Sequence, residues 1–291
     1  MTDNRRDYIK RFLAVSFLSC FLYSSSVLAE LFPGNAIGVT MGHLHYYVDD
    51  INSEKAFWLA LGGTEINADI VTMIQFPGVI IMLSSGDASE GTEGSVVNHV
   101  AFRVASLQAL EQQGFELEYN EEFPGIASVY SPSGERVELF DDRLATNIGF
   151  TIQDGYSNRM AERHNEALSA PIVTHHLHFY LPAGQVERAQ NWYVNLFAAI
   201  PGQRWRYAAA DLPGMNLNFS EADSAQAPTG GRILDHIGFE IEGLDAFCEE
   251  LEAQGIQFDM PYRVLDSGVK IAFLTDPWGT RIELTEGLDQ L

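Results

Sequence analysis

Four short segments of this chain recur in the same order further along it, and that duplication constrains the fold more than any other feature. Gly42-His43-Leu44-His45-Tyr46-Tyr47-Val48 is echoed by His175-His176-Leu177-His178-Phe179-Tyr180-Leu181. Phe76-Pro77-Gly78 returns as Leu212-Pro213-Gly214, and Asn98-His99-Val100-Ala101-Phe102 as Asp235-His236-Ile237-Gly238-Phe239. Gly134-Glu135-Arg136-Val137-Glu138-Leu139 returns as Gly279-Thr280-Arg281-Ile282-Glu283-Leu284. The spacing between copies grows slowly, from 133 through 136 and 137 to 145 residues, as a duplication with small insertions requires.

Each half repeats again inside itself. A strand carrying histidine opens each unit, a helix follows, and further strands close it, with Gly or Pro-Gly turns between them. The units run over 39–86, 95–143, 172–222 and 232–287. Helices are expected over 53–61, 106–113, 185–197 and 244–254, stopped by Gly62-Gly63, Gly114 and Gly255. Residues 144–171 lack the pattern and read as a connector with one helical piece. The expected organisation is a first domain at 39–143 and a second at 172–291, joined by 144–171.

Residues 1–29 read as an export signal. Arg5, Arg6, Lys10 and Arg11 precede an apolar run, and Val27-Leu28-Ala29 supplies a small-residue exit before Glu30. The run is short for a membrane span, which needs about 20 apolar residues. Arg5-Arg6-Asp7-Tyr8-Ile9-Lys10 resembles a twin-arginine signal. A periplasmic or secreted location is expected, with membrane contact during export alone. Cys20 would leave with the signal, and Cys248 would remain as one thiol packed on a helix.

Composition then narrows the function. The chain of 291 residues carries 17 Lys and Arg against 40 Asp and Glu, a formal charge of −23. A surface of that sign repels phosphate backbones, so nucleic acid is an unsuitable partner. A small molecule suits better.

The histidines supply the chemistry. Alternation along a strand places His43, His45 and Tyr47 on one face, and His176, His178 and Tyr180 on another. Burying an imidazole is costly unless its nitrogens find partners, and a metal ion is one such partner. Within the first half the candidate ligands are His43, His99 and Glu138; within the second, His176, His236 and Glu283. Two imidazoles and a carboxylate with open positions suit Fe(II), and also Mn(II), Co(II), Ni(II) or Zn(II). The alternative is that these side chains are hydrogen-bonded core residues, or that one half is a relic.

The repeat resembles the vicinal oxygen chelate superfamily of glyoxalases, extradiol dioxygenases and fosfomycin- and bleomycin-resistance proteins. The motifs are the histidine-led strands 43–48 and 176–181, the aromatics Trp58 and Trp192-Tyr193, and the closing strands 134–139 and 276–284. The resemblance covers nearly all of 39–287. It implies an α+β fold of four βαβββ modules paired into two incomplete, metal-binding β-barrels. It also implies a metal-dependent enzyme acting on adjacent oxygens of a small substrate, dioxygenase-like in chemistry. A glyoxalase-type lyase or isomerase and a non-catalytic binding protein stand as alternatives. His45 or His178 would move a proton, and Tyr47, Tyr180 or Arg103 would contact substrate. Met82 and Asn218 occupy the place of a glyoxalase's fourth ligand, and neither is a useful base. Phe273 stands where an extradiol enzyme carries Tyr. Self-sufficient chains and homodimers are both compatible with a fused pair.

Overall fold

The computed structural model describes residues 31–66, 71–146 and 148–288. The proposed export signal lies outside them. Among the described residues no helix is long and apolar enough to cross a membrane.

Each expected module is present with its elements in βαβββ order. The first holds β1 (Val39–Val48), α1 (Ile51–Leu61), β2 (Thr64–Ile66), β3 (Thr72–Phe76) and β4 (Val79–Ser85). The second holds β5 (Val97–Val104), α2 (Leu107–Gln112), β6 (Glu118–Tyr119), β7 (Ile126–Tyr130) and β8 (Arg136–Asp141). The third holds β10 (Ile172–Leu181), α4 (Val186–Phe197), β11 (Ile200–Arg204), β12 (Tyr207–Leu212) and β13 (Met215–Glu221). The fourth holds β14 (Leu234–Ile241), α5 (Leu244–Ala253), β15 (Phe258–Val264), β16 (Lys270–Thr275) and β17 (Arg281–Glu286). The connector contributes β9 (Thr151–Ile152), which pairs with β11 at a sheet edge, α3 (Arg159–Glu162) and a 3₁₀ turn at Arg163–Asn165.

The helices begin and end for local reasons. Asp50 caps α1 by accepting from the Asn52 and Ser53 N–H groups. Gly62, at φ 122, ends it by donating to the Leu59 carbonyl.

The modules do not pair as neighbours in sequence. One sheet of eight strands runs β15-β16-β17-β14-β1-β4-β3-β2, and a second of nine runs β6-β7-β8-β5-β10-β13-β12-β11-β9. The first module therefore shares a sheet with the fourth, and the second with the third. The expected division into domains at 39–143 and 172–291 is corrected accordingly: each half gives one module to each sheet. The crossing segments account for this. Residues 86–96 and 222–233 carry the chain between sheets side by side, and Ser95 bridges Ala227 where they meet. Arg232 reinforces the crossing by donating to the Gly91 and Glu93 carbonyls and to the Glu90 carboxylate.

Helices α1 and α4 fill the space between the sheets. Trp58 of α1 packs on Phe76 of one sheet and Phe102 of the other, with ring centres 5.9 and 6.4 Å away. Phe197 of α4 meets Phe239 at 4.7 Å, and Tyr193 meets Phe219 at 5.7 Å. Trp58 and Tyr193 are fully buried, and each such ring contributes roughly 2–3 kcal/mol of burial. The β3–β4 and β12–β13 turns touch across the interface at Gly78 and Gly214. A Cβ on Gly214 would overlap the Gly78 carbonyl, and both glycines have positive φ, 83 and 92.

Candidate metal centres

The central pairing of each sheet sets the geometry of two clusters. In the first sheet β1 runs antiparallel to β14, with His43 opposite Gly238 and His45 opposite His236. In the second, β10 runs antiparallel to β5, with His176 opposite Ala101 and His178 opposite His99. Both ladders carry an irregularity just before the first histidine, at Gly42 and at His175. That extra residue bends the strand and re-aims the next side chain.

The first centre unites His43, His45, His236 and Glu283, whose ligand atoms all lie within 4.8 Å of one another. The Nε2 atoms of His43 and His236 sit 2.9 and 3.0 Å from the same oxygen of Glu283. The second unites His99, His176 and His178 within the same limit. Glu138 Oε2 lies 3.3 Å from His99 Nε2 and 3.8 Å from His176 Nε2. The expected sets, His43 with His99 and Glu138, and His176 with His236 and Glu283, are not the ones brought together. Every named residue falls in a centre, but the histidine-led strand of each half takes its partners from the other half, because the sheets pair modules one with four and two with three.

Electrostatics and hydrogen bonding fit a cation. His236 Nδ1 is 2.7 Å from the Asp235 carboxylate and His99 Nδ1 is 2.8 Å from the Asn98 amide oxygen. Such partners fix the tautomer and leave Nε2 free to ligate. In the second centre His99 Nε2 and His176 Nε2 are buried without a hydrogen-bond partner. Burial pushes the Glu138 carboxyl up, but the charges of His99 and Arg136 outweigh it and hold the group below its usual range. Burial opposes and His236 and His43 favour the charged form of Glu283, which is held well down. Burial drives His43, His176 and His178 below the ordinary imidazole value, and takes His45 to about 3. His236 goes the other way: burial opposes its charged form, but the Asp235 and Glu283 carboxylates outweigh burial and raise it above the ordinary imidazole value.

His45 and His178 both lie in the clusters, each with Nε2 against a serine hydroxyl, Ser84 at 2.8 Å and Ser220 at 2.7 Å. Tyr47 stands beside His45 at 5.6 Å, and Tyr180 stacks on His178 at 4.9 Å. Arg103 does not reach either centre. Its Nε donates to Asp142 at 2.9 Å and its Nη2 to the Glu166 carbonyl at 2.9 Å, tying the connector to β5. Alternation places it on the His99 face, but four residues along the strand is about 13 Å away. The expected substrate contact at Arg103 is therefore corrected to a structural one.

A cavity of about 420 Å³ opens over the second centre, lined by His99, Glu138, His176 and His178 and, further out, by Phe123, Arg136, Tyr180, Trp205, Arg206 and Tyr207. Phe123, Trp205, Arg206 and Tyr207 come from a loop and a hairpin tip, where no periodic pattern marks them. The first centre is packed differently: Phe273 stands edge-on to His236 at 5.1 Å, within an apolar cluster that includes Met73, Ile80, Met82 and Ile271. Two further histidines, His164 and His175, are buried outside both clusters. His164 Nε2 is 2.5 Å from buried Asp211, and His175 stacks on Phe140 at 4.3 Å with Nδ1 2.6 Å from His176 Nδ1.

Comparison with known proteins agrees with this architecture. Residues 172–284 match the model of the Glyoxalase/Bleomycin resistance protein/Dioxygenase superfamily. A stretch of 89 residues is 34% identical to a lactoylglutathione lyase of Pseudomonas aeruginosa, covering 29% of this chain and 49% of the relative. The match thus spans about half the length of that protein. Glyoxalase I from Zea mays superposes with a TM-score of 0.60 at 15% identity, over 87% of this chain and 94% of the other. A putative dioxygenase from Bacillus subtilis superposes with a TM-score of 0.57 at 14% identity, over 85% of each chain. At such identities the structural likeness is one of fold. The family match lies on the second half of the chain, and the first half repeats the same order of modules.

Proposed function

We propose that the protein is a metal-dependent enzyme whose His99–His176–Glu138 centre binds a divalent ion and, through it, two adjacent oxygens of a small substrate. One observation carries this reading: two fully enclosed imidazole nitrogens without hydrogen-bond partners converge on one ionised carboxylate beneath an open cavity. Buried polar atoms are normally satisfied, so a shared missing partner is the economical explanation. Dioxygenase-like chemistry with Fe(II) is the first choice, with Mn(II), Co(II), Ni(II) and Zn(II) as other ions that the donor set accepts.

A bound ion would supply Lewis acidity to the substrate's oxygens and, as iron, redox access to O₂. The chain supplies the rest. Asn98 holds the His99 ring in its ligating orientation. His178, neutral and set against Ser220, either completes the donor set or accepts a proton from a substrate hydroxyl. Tyr180 and Tyr207 flank His178 and limit water around it.

A lyase or isomerase of glyoxalase type is the second reading, supported by the 34% identity to a lactoylglutathione lyase. Against it, the amide of Asn218 occupies the expected fourth-ligand place beside His178. The test is metal analysis of the purified protein, then oxygen uptake with catechols and, separately, formation of S-lactoylglutathione. Fe(II)-dependent oxygen uptake supports the first reading. Lactoylglutathione formation without oxygen uptake supports the second. A protein that takes up no ion from Fe(II), Mn(II), Ni(II) or Zn(II) is a binding protein without chemistry. Export through residues 1–29 belongs to the same proposal, and N-terminal sequencing of the mature protein checks it.

A further inference from the structure

The cavity rim departs from economical backbone geometry. The β11–β12 hairpin turns on Trp205 and Arg206, and Trp205 has φ 51. Glycine or asparagine occupies that left-handed region at little cost, whereas a bulky side chain does not. Nor is Trp205 drawn into the core in exchange. It is 37% exposed, edge-on to Phe123 at 5.1 Å, with the Arg206 guanidinium 4.2 Å from its ring centre. Phe123 belongs to a different module, and Asn120 holds its loop by accepting from the Glu122 and Phe123 N–H groups at 2.9 and 3.0 Å. Aromatic contacts then lead inward. Trp205 meets Tyr207 at 5.6 Å, and Tyr207 meets His178 of the metal centre at 4.7 Å. Strain of this kind persists where the surroundings use it.

We infer that Trp205 and Phe123 form a two-sided aromatic clamp at the cavity mouth. It selects substrates in which the adjacent oxygens sit on a planar ring over aliphatic molecules bearing the same oxygens. The inference rests on the metal-dependent reading of the second centre. A ring entering between the two side chains would replace their edge-to-face contact with contacts to its own face and edge.

The experiment uses full-length protein loaded with Zn(II), which removes redox chemistry, and two chelators. 4-Nitrocatechol carries its two oxygens on a ring; acetohydroxamate carries them without one. Trp205→Asn and Phe123→Leu are each expected to weaken 4-nitrocatechol about tenfold and to leave acetohydroxamate within about twofold. Trp205→Asn is also expected to raise the melting temperature, because asparagine accommodates the left-handed backbone. Equal losses for both chelators, or no loss for either, overturn the clamp. So does a lower melting temperature accompanied by weaker binding of both, which would make Trp205 a purely structural residue. Wild-type protein that binds acetohydroxamate with no preference for the ring overturns the clamp alone. Wild-type protein that binds neither chelator overturns the metal reading and the clamp with it.

Discussion

His43 and Glu283 are separated by 240 positions in the chain, yet His43 Nε2 lies 2.9 Å from Glu283 Oε2. The first and last modules therefore close one centre between them, and the two inner modules close the other. Among the described residues, neither half of the chain holds all the members of either cluster.

This interlacing makes residues from opposite halves dependent on one ion. Metal content is expected to be about two ions per chain. Glu138→Ala and His176→Ala should each remove the same ion, and the double variant should lose no more than either single one. His236→Ala should remove the other ion and leave the second centre filled. Metal analysis of the dialysed variants checks this; loss that adds up in the Glu138/His176 double variant contradicts a shared site.

The ligand types and their strands were legible because repetition exposes them: a histidine-led strand and a Gly-x-Arg-x-Glu strand recur at matched places. The partnership between modules was not. All four modules present the same kind of central strand, so hydrophobic alternation fits either pairing equally well. What decides it is the crossing of residues 86–96 with 222–233 and the Arg232 contacts to Glu90, Gly91 and Glu93, which lie in loops without periodicity. The cavity rim was hidden for the same reason, since Trp205 and Phe123 sit at a hairpin tip and in a loop.

Gly238 is expected to be irreplaceable for the first centre. It pairs with His43 across β1 and β14, and a Cβ there would overlap the His43 imidazole. Gly238→Ala should weaken metal binding at the first centre by about tenfold or more and lower stability by roughly 1–3 kcal/mol through overpacking. The second centre already has Ala101 at the matching place opposite His176, so Ala101→Gly should leave both ions bound. Site-resolved metal titration distinguishes the two outcomes.

Away from both centres, Glu135 gives stability a pH dependence. Its side chain is fully buried beside Thr92, Tyr46 and Glu54, and burial pushes its carboxyl up to about 8, from 4.5. The folded protein then holds a proton that the unfolded chain has lost above about pH 4.5. This group's contribution is fully present below that pH and is lost as pH rises towards 8. Between pH 5.5 and 8.5 the loss is on the order of 3 kcal/mol. Glu135→Gln should flatten that part of the profile and make the protein relatively more stable at pH 8.5. Urea denaturation at the two pH values measures it, and an unchanged slope in the variant refutes the assignment.

Arg103 separates a structural reading from a substrate-binding one. Its side chain is 4% exposed and ion-paired with Asp142, and it donates to connector carbonyls at His164 and Glu166. Removing it leaves Asp142 without its cation and releases the connector that carries β9 to the edge of the second sheet. Arg103→Met should therefore cost roughly 3 kcal/mol of stability. Chelator affinity at the second centre should stay within about twofold, because about 13 Å of strand separates Arg103 from His99. A variant as stable as wild type but unable to bind small chelators would return Arg103 to the substrate; the reverse pattern fixes it as the residue that fastens the connector to β5.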